Sequence, residues 1–173
     1  LVGDNTEQIR SGQLTHALKG ISCTEAQLFP KTTNFIGTSG ALASVSKGHI
    51  TPKIDADGAI RKIPSAVCIE GLAYPALAVS PFLQIAGGMS EWSVSVSEGE
   101  GFLSPQKILT IDSFPGLEIP IDEEGNMRIS FLRAPSSYRA VSAVDVLEGN
   151  IDPDMFDNVW VIVGATAFGL DDI

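Results

Sequence analysis

Residues 159–163, Val-Trp-Val-Ile-Val, form a nearly continuous apolar run closed by Gly164. Such a run reads as a strand covered on both faces, in the middle of a sheet with helices packed around it. It therefore predicts an α/β domain: a mixed β-sheet with a buried central strand at 159–164 and helices packed on it. A chain of 173 residues with 44% hydrophobic content is long enough to close a core of its own, so residues 1–173 are read as a single domain.

The segments before that run supply mixed partners. Glu7–Leu28 carries a broken helical period, interrupted by Gly12 and Gly20, and predicts one or two short helices. Thr33–Thr38 is β-branched and aromatic enough for a strand. Asp55-Ala56-Asp57-Gly58 predicts a tight turn, with Gly58 accepting positive φ, and Ile60–Ile69 the strand that returns from it. Pro75 suits a helical first turn, so Ala76–Ala86 is predicted helical, kinked at Pro81 and ended by Gly87-Gly88. Short strands follow at Trp92–Val96, Lys107–Ile111, Leu117–Ile121 and Met127–Leu132, the last two joined by a polar hairpin loop at 122–126. Ser142, three residues before Asp145, predicts the start of a short helix over Ala143–Leu147 that Gly149 ends.

Charge narrows the function. Eleven basic against twenty-one acidic residues leave a net charge of -10, which repels phosphate backbones and argues against nucleic acid as a partner. The stretch Val159–Leu170 is twelve residues long, short of the ~20 a helix needs to cross a bilayer. Neither end looks like a natural terminus: Leu1 lacks the basic and apolar regions of a leader and reads as a cut, as does Ile173. Cys23 and Cys68 match no zinc spacing; burial as two small apolar side chains is favoured over a disulfide, and the compartment stays open.

Motifs for chemistry fall short one by one. Gly164 to Gly169 has phosphate-loop glycine spacing, but Leu170-Asp171 stands where Lys and Ser or Thr are required. In the calcium-loop reading of Asp55-Ala56-Asp57-Gly58 the glycine comes early and no closing Glu follows, so a turn with locally bonded carboxylates is preferred and no metal is assigned. Gly37-Thr38-Ser39-Gly40 is not a nucleophile elbow, and His16 and His49 lie in no catalytic context. Glu123-Glu124, Asp152, Asp154 and Asp171-Asp172 read as solvated loop charge. No catalytic residue and no cofactor is expected. Arg61, Arg133 and Arg139 either pair internally, the favoured reading for each alone, or hold an anionic ligand.

Several collinear pieces resemble one family. Asp55 to Pro64, with Asp55, Asp57, Gly58 and Arg61, then Tyr74-Pro75-Ala76-Leu77-Ala78, Ile119 to Gly125, Arg128 to Phe131, Val141 to Gly149 and Val159 to Asp172 are similar to the CHASE sensory domain of the second type. The resemblance implies an extracytoplasmic input domain, incomplete at both ends, of a membrane-anchored bacterial receptor. Transmembrane helices would follow, then a histidine kinase, nucleotide cyclase or diguanylate cyclase. It implies no enzymatic activity, an unidentified small-molecule ligand, a cytoplasmic output domain in the same parent chain, and leaves a homodimer open. Asp55, Asp57, Gly58, Tyr74, Pro75 and Gly164 are read as structural members of the pattern. A ligand site is expected near strand ends beside the turn after Gly164, with Thr166 as donor and Arg61 or Arg133 as charge partner. The alternative is a fragment of a hydrolase or other enzyme whose catalytic residues lie elsewhere in its chain.

Overall fold

The computed structural model describes residues 9–23, 28–42, 44–87, 92–99 and 107–164, which fall in two compact units, Leu1–Ser130 and Phe131–Ile173. The first contains strands β1 (Arg10–Ser11), β2 (Lys31–Thr32), β3 (Phe35–Ile36), β4 (Lys53–Ile54), β5 (Ile60–Pro64), β6 (Ala66–Ile69) and β7 (Leu72–Pro75), helix α1 (Ser80–Gly87), and strands β8 (Val94–Glu98), β9 (Lys107–Ile111), β10 (Phe114–Ile121) and β11 (Asn126–Arg128). They form small sheets, with orders β1-β3, β2-β6-β7, β11-β5-β4 and β10-β9-β8. β1-β3 and β2-β6 are parallel pairs, and the others are antiparallel. The domain is thus mostly sheet, with parallel and antiparallel pairing and little helix.

The strand covered on both faces is β6. All four residues of Ala66-Val67-Cys68-Ile69 are buried, flanked by β2 and β7. Around it lie Ala73, Ala76, Val79, Leu83, Trp92, Val94, Leu109 and Ile111. α1 contributes Leu83, which is fully buried. Ser65 separates β5 from β6, and its backbone N–H and hydroxyl both donate to the Gly125 carbonyl at 2.9 and 2.8 Å. That double bond turns the predicted single strand Ile60–Ile69 into two strands of different sheets.

In the second unit, α2 (Ala143–Leu147) has the predicted bounds. The Ser142 hydroxyl accepts the Val144 N–H, Asp145 lies in the positive first turn, and Gly149 follows at φ 73°. The expected buried central strand is overturned. Residues 159–164 belong to no strand, and Val159 to Val163 are exposed, from 54% at Val159 to 93% at Ile162. Gly164 has no positive φ, and a Cβ added there would meet nothing within 4 Å, so neither its backbone nor its surroundings require a glycine. An apolar run is sheathed only where neighbouring strands and helices cover it. Within the described residues that cover surrounds β6.

Two helical expectations are also corrected. The described part of Glu7–Leu28 is extended: Leu18 bridges to Ala73 and Lys19 to Ser93. Gly12 and Gly20 are points of close approach rather than helix breakers, since a Cβ would strike the carbonyls of Gly37 and Val94. Tyr74-Pro75 closes a strand, paired with Val67 and Ala66, in keeping with the extended bias of a residue before proline. α1 begins at Ser80, so Pro81 lies in its first turn, where the missing N–H needs no intrahelical partner, and it produces no kink.

Candidate functional site

The predicted turn forms as expected: the Gly58 N–H donates to the Asp55 carbonyl at 2.9 Å and Gly58 has φ 81°. Arg61, the second residue of β5 and exposed, reaches back over it. Its Nη1 donates to Asp55 Oδ2 and Asp57 Oδ1, both at 2.9 Å, and its Nη2 to Asp57 Oδ2 at 2.8 Å. Asp57 Oδ1 also accepts the Ala59 N–H. Hydrogen bonding with Asp57, then Asp55, pushes the guanidinium pKa up, and the same bond from Arg61 holds Asp57 below the usual carboxylate range. The structure therefore gathers Asp55, Asp57, Gly58 and Arg61 into one exposed turn in which a single guanidinium bridges two carboxylates.

The remaining expected positions are scattered. Tyr74 is half-buried on β7, and burial, then the charge of Glu70, pushes its hydroxyl pKa up. Arg133 and Arg139 are exposed in the second unit. Thr166 and the turn after Gly164 lie outside the described residues.

Sequence reasoning missed a cleft of about 450 Å³ beside β6. On one side is the end of β2, with Lys31 and Thr32 in parallel register with Cys68 and Ile69. On the other is the two-residue hairpin between β6 and β7, where Glu70 and Gly71 have φ 54° and 83°, the two positive values of a type I′ turn. The lining is completed by Thr33 and a Cys23–Cys68 disulfide. The disulfide corrects the preference for two separate thiols: the Cα atoms stand 5.8 Å apart, within bridging range, and both residues are buried. At the rim, Arg10 of β1 donates through Nη1 to Glu70 Oε1 at 2.7 Å and through Nε to the Thr33 carbonyl at 3.1 Å. Two apolar runs separated only by Glu70-Gly71 were the sequence signal for this hairpin. Nothing local in the sequence pairs Lys31 with it.

A second cleft, of about 310 Å³, runs past Phe29, Pro52, Lys53, Glu124 and Asn126. Its charges already satisfy one another, with Lys53 Nζ 2.7 Å from Glu124 Oε2 and the Asn126 amide donating to both Asp122 oxygens and to Glu124. Burial raises the Asp122 pKa, but hydrogen bonds from Lys62, from the backbone and side chain of Asn126, and from the Glu124 backbone outweigh it and hold the carboxyl at about 2. That network reads as a support for the β5–β11 pairing.

His49 is mostly enclosed where it bridges to Ala76. Its Nδ1 accepts the Thr51 N–H, its buried Nε2 has no partner among the described residues, and burial pushes its pKa down to about 4. Among the described residues no cluster of three or more His, Cys, Asp or Glu side chains is arranged to hold a metal ion.

The family model for the CHASE2 domain matches residues 4–173, essentially the whole chain. No curated protein and no solved structure shows a significant match.

Proposed function

Because the chain belongs to the CHASE2 domain family, a family of extracellular sensory domains, we propose that it is the ligand-sensing input domain of a membrane-anchored bacterial receptor. The match over residues 4–173 carries this reading. The Cys23–Cys68 disulfide supports it, since such a crosslink persists outside the reducing cytoplasm. No helix of the described residues is long and apolar enough to cross a membrane, so the anchoring helices are assigned to other parts of the parent chain. The output is a histidine kinase, nucleotide cyclase or diguanylate cyclase. Membership in a sensory family favours this over the enzyme-fragment alternative.

Signalling of this kind requires two packings close in free energy and a ligand with different affinity for each. The cleft between β2 and the β6–β7 hairpin is the site this reading uses, because a ligand there touches two strands of the sheet that holds the disulfide. Arg61, already paired with Asp55 and Asp57, and Arg133, in the second unit, are each by itself a secondary proposal for holding an anion, apart from that cleft. The test is output activity of the full-length receptor in sealed vesicles with this domain outside. Deleting residues 4–173 should leave an output that no longer responds to external solution. A response retained in full after the deletion would remove the sensory assignment.

A further inference from the structure

Resting on that sensory reading, the geometry points to a ligand class: we propose that the cleft beside β6 binds a small carboxylate anion, with the Lys31 ammonium as its counter-charge. The cleft, at about 450 Å³, lies in the range of small-molecule sites. Among the described residues its charge is set by three side chains. Arg10 and Glu70 neutralise each other across the rim at 2.7 Å, whereas Lys31 takes no carboxylate among the described residues. In a chain carrying twenty-one acidic residues against eleven basic ones, a lysine left without an acid beside a cavity leaves that cavity locally positive. The anion it suits is a singly charged one. The rim guanidinium is already held through Nη1 and Nε, so the arginine fork that multiply charged phosphate favours is engaged, and the lysine remains as a point charge.

The walls fit an organic carboxylate. The buried Cys23–Cys68 sulfurs offer a soft apolar surface to its body, and the Thr33 edge supplies polar groups beside its head. Glu70 is held at φ 54°, a region in which a glutamate is uncommon, with Arg10 bonded to its Oε1. With Glu70 and Arg10 cancelling at the rim, the Lys31 ammonium is left as a single positive charge, which matches one carboxylate on the ligand. The preferred ligand is therefore a monocarboxylate with a short apolar chain.

The experiment is amide chemical-shift titration of this chain, disulfide intact, with sodium butyrate, and with sodium phosphate and sodium chloride at matched ionic strength. Butyrate should saturably shift the amides of Lys31–Thr33 and Glu70–Gly71. Lys31→Gln should raise the butyrate Kd by about tenfold or more, with Arg128→Gln leaving it unchanged and both variants keeping the wild-type spectrum elsewhere. No saturable butyrate shift, an equal shift with chloride, tighter binding of phosphate, or an unchanged Kd in Lys31→Gln would each overturn the assignment. Receptor output is a separate readout. Failure to bind butyrate in a receptor that still needs the domain sinks only the ligand class, and butyrate binding with an output indifferent to deletion sinks only the sensory role.

Discussion

Arg61 and Asp57 face each other as a fork on a fork, Nη1 to Oδ1 at 2.9 Å and Nη2 to Oδ2 at 2.8 Å, four residues apart across the turn that opens β5. The pair is solvent-exposed, so salt and water weaken it. Arg61→Ala is therefore expected to keep the fold, with a small drop in melting temperature that shrinks further at high salt. Loss of cooperative unfolding in a thermal melt would show instead that the turn organises the sheet.

Acid should destabilise the domain in two windows. His49, held at about 4 by burial, stays neutral in the folded state while an unfolded histidine gains a proton below about 6.5. The unfolded state then binds more protons, and stability falls as pH drops from about 6.5 to about 4. Asp122, held at about 2, contributes stability that is complete above its unfolded value near 3.9 and is lost as pH falls through about 2. Urea midpoints measured against pH should show both slopes. His49→Gln should flatten the upper one only, and an upper slope unchanged in that variant would place its origin elsewhere.

The disulfide closes a long loop, with 45 residues of separation between Cys23 and Cys68. In the loop-entropy account its removal costs about 4 kcal/mol. A Cys23→Ser, Cys68→Ser double variant should show that loss in denaturant unfolding. A loss below about 1 kcal/mol would mean that the unfolded ensemble of the reduced chain keeps residue 23 close to the β6 segment.

Leu83→Ala removes a fully buried side chain of α1 and should cost about 3 kcal/mol. Ile162→Ala, in the exposed run, should change stability by no more than about 0.5 kcal/mol. Equal costs in chemical denaturation would contradict the exposure of 159–163.

Gly125 separates two kinds of glycine. It has φ 74°, and an added Cβ would come within 2.6 Å of both the Leu28 carbonyl oxygen and the Phe29 ring. Gly164 has neither constraint. Gly125→Ala should lower the melting temperature clearly, and Gly164→Ala should leave it nearly unchanged. The reverse order would overturn the placement of both.

What was legible in the sequence was what a few neighbouring residues settle among themselves. The Asp55–Gly58 turn, the strand Lys107–Ile111, the polar turn at 122–126 and the Ser142 cap of α2 depend on local dihedrals and local hydrogen bonds, and the ordered motifs from Asp55 onward were enough to show the family. The expected hairpin around 122–126 was not formed, since β10 pairs with β9 and β11, which ends at Arg128, pairs with β5. The Lys31–Glu70 cleft was not legible, because it needs a parallel pairing between segments far apart in the chain. Nor was the disulfide, since spacing alone does not say whether two thiols meet.

The sequence by itself determined where apolar runs lie, at 66–69 and at 159–163. Only the tertiary structure decided which of them is enclosed, because burial belongs to the neighbours a strand acquires: β6 has β2 and β7 beside it and the α1 side of the core around it, while the stronger run at 159–163 has no such cover among the described residues.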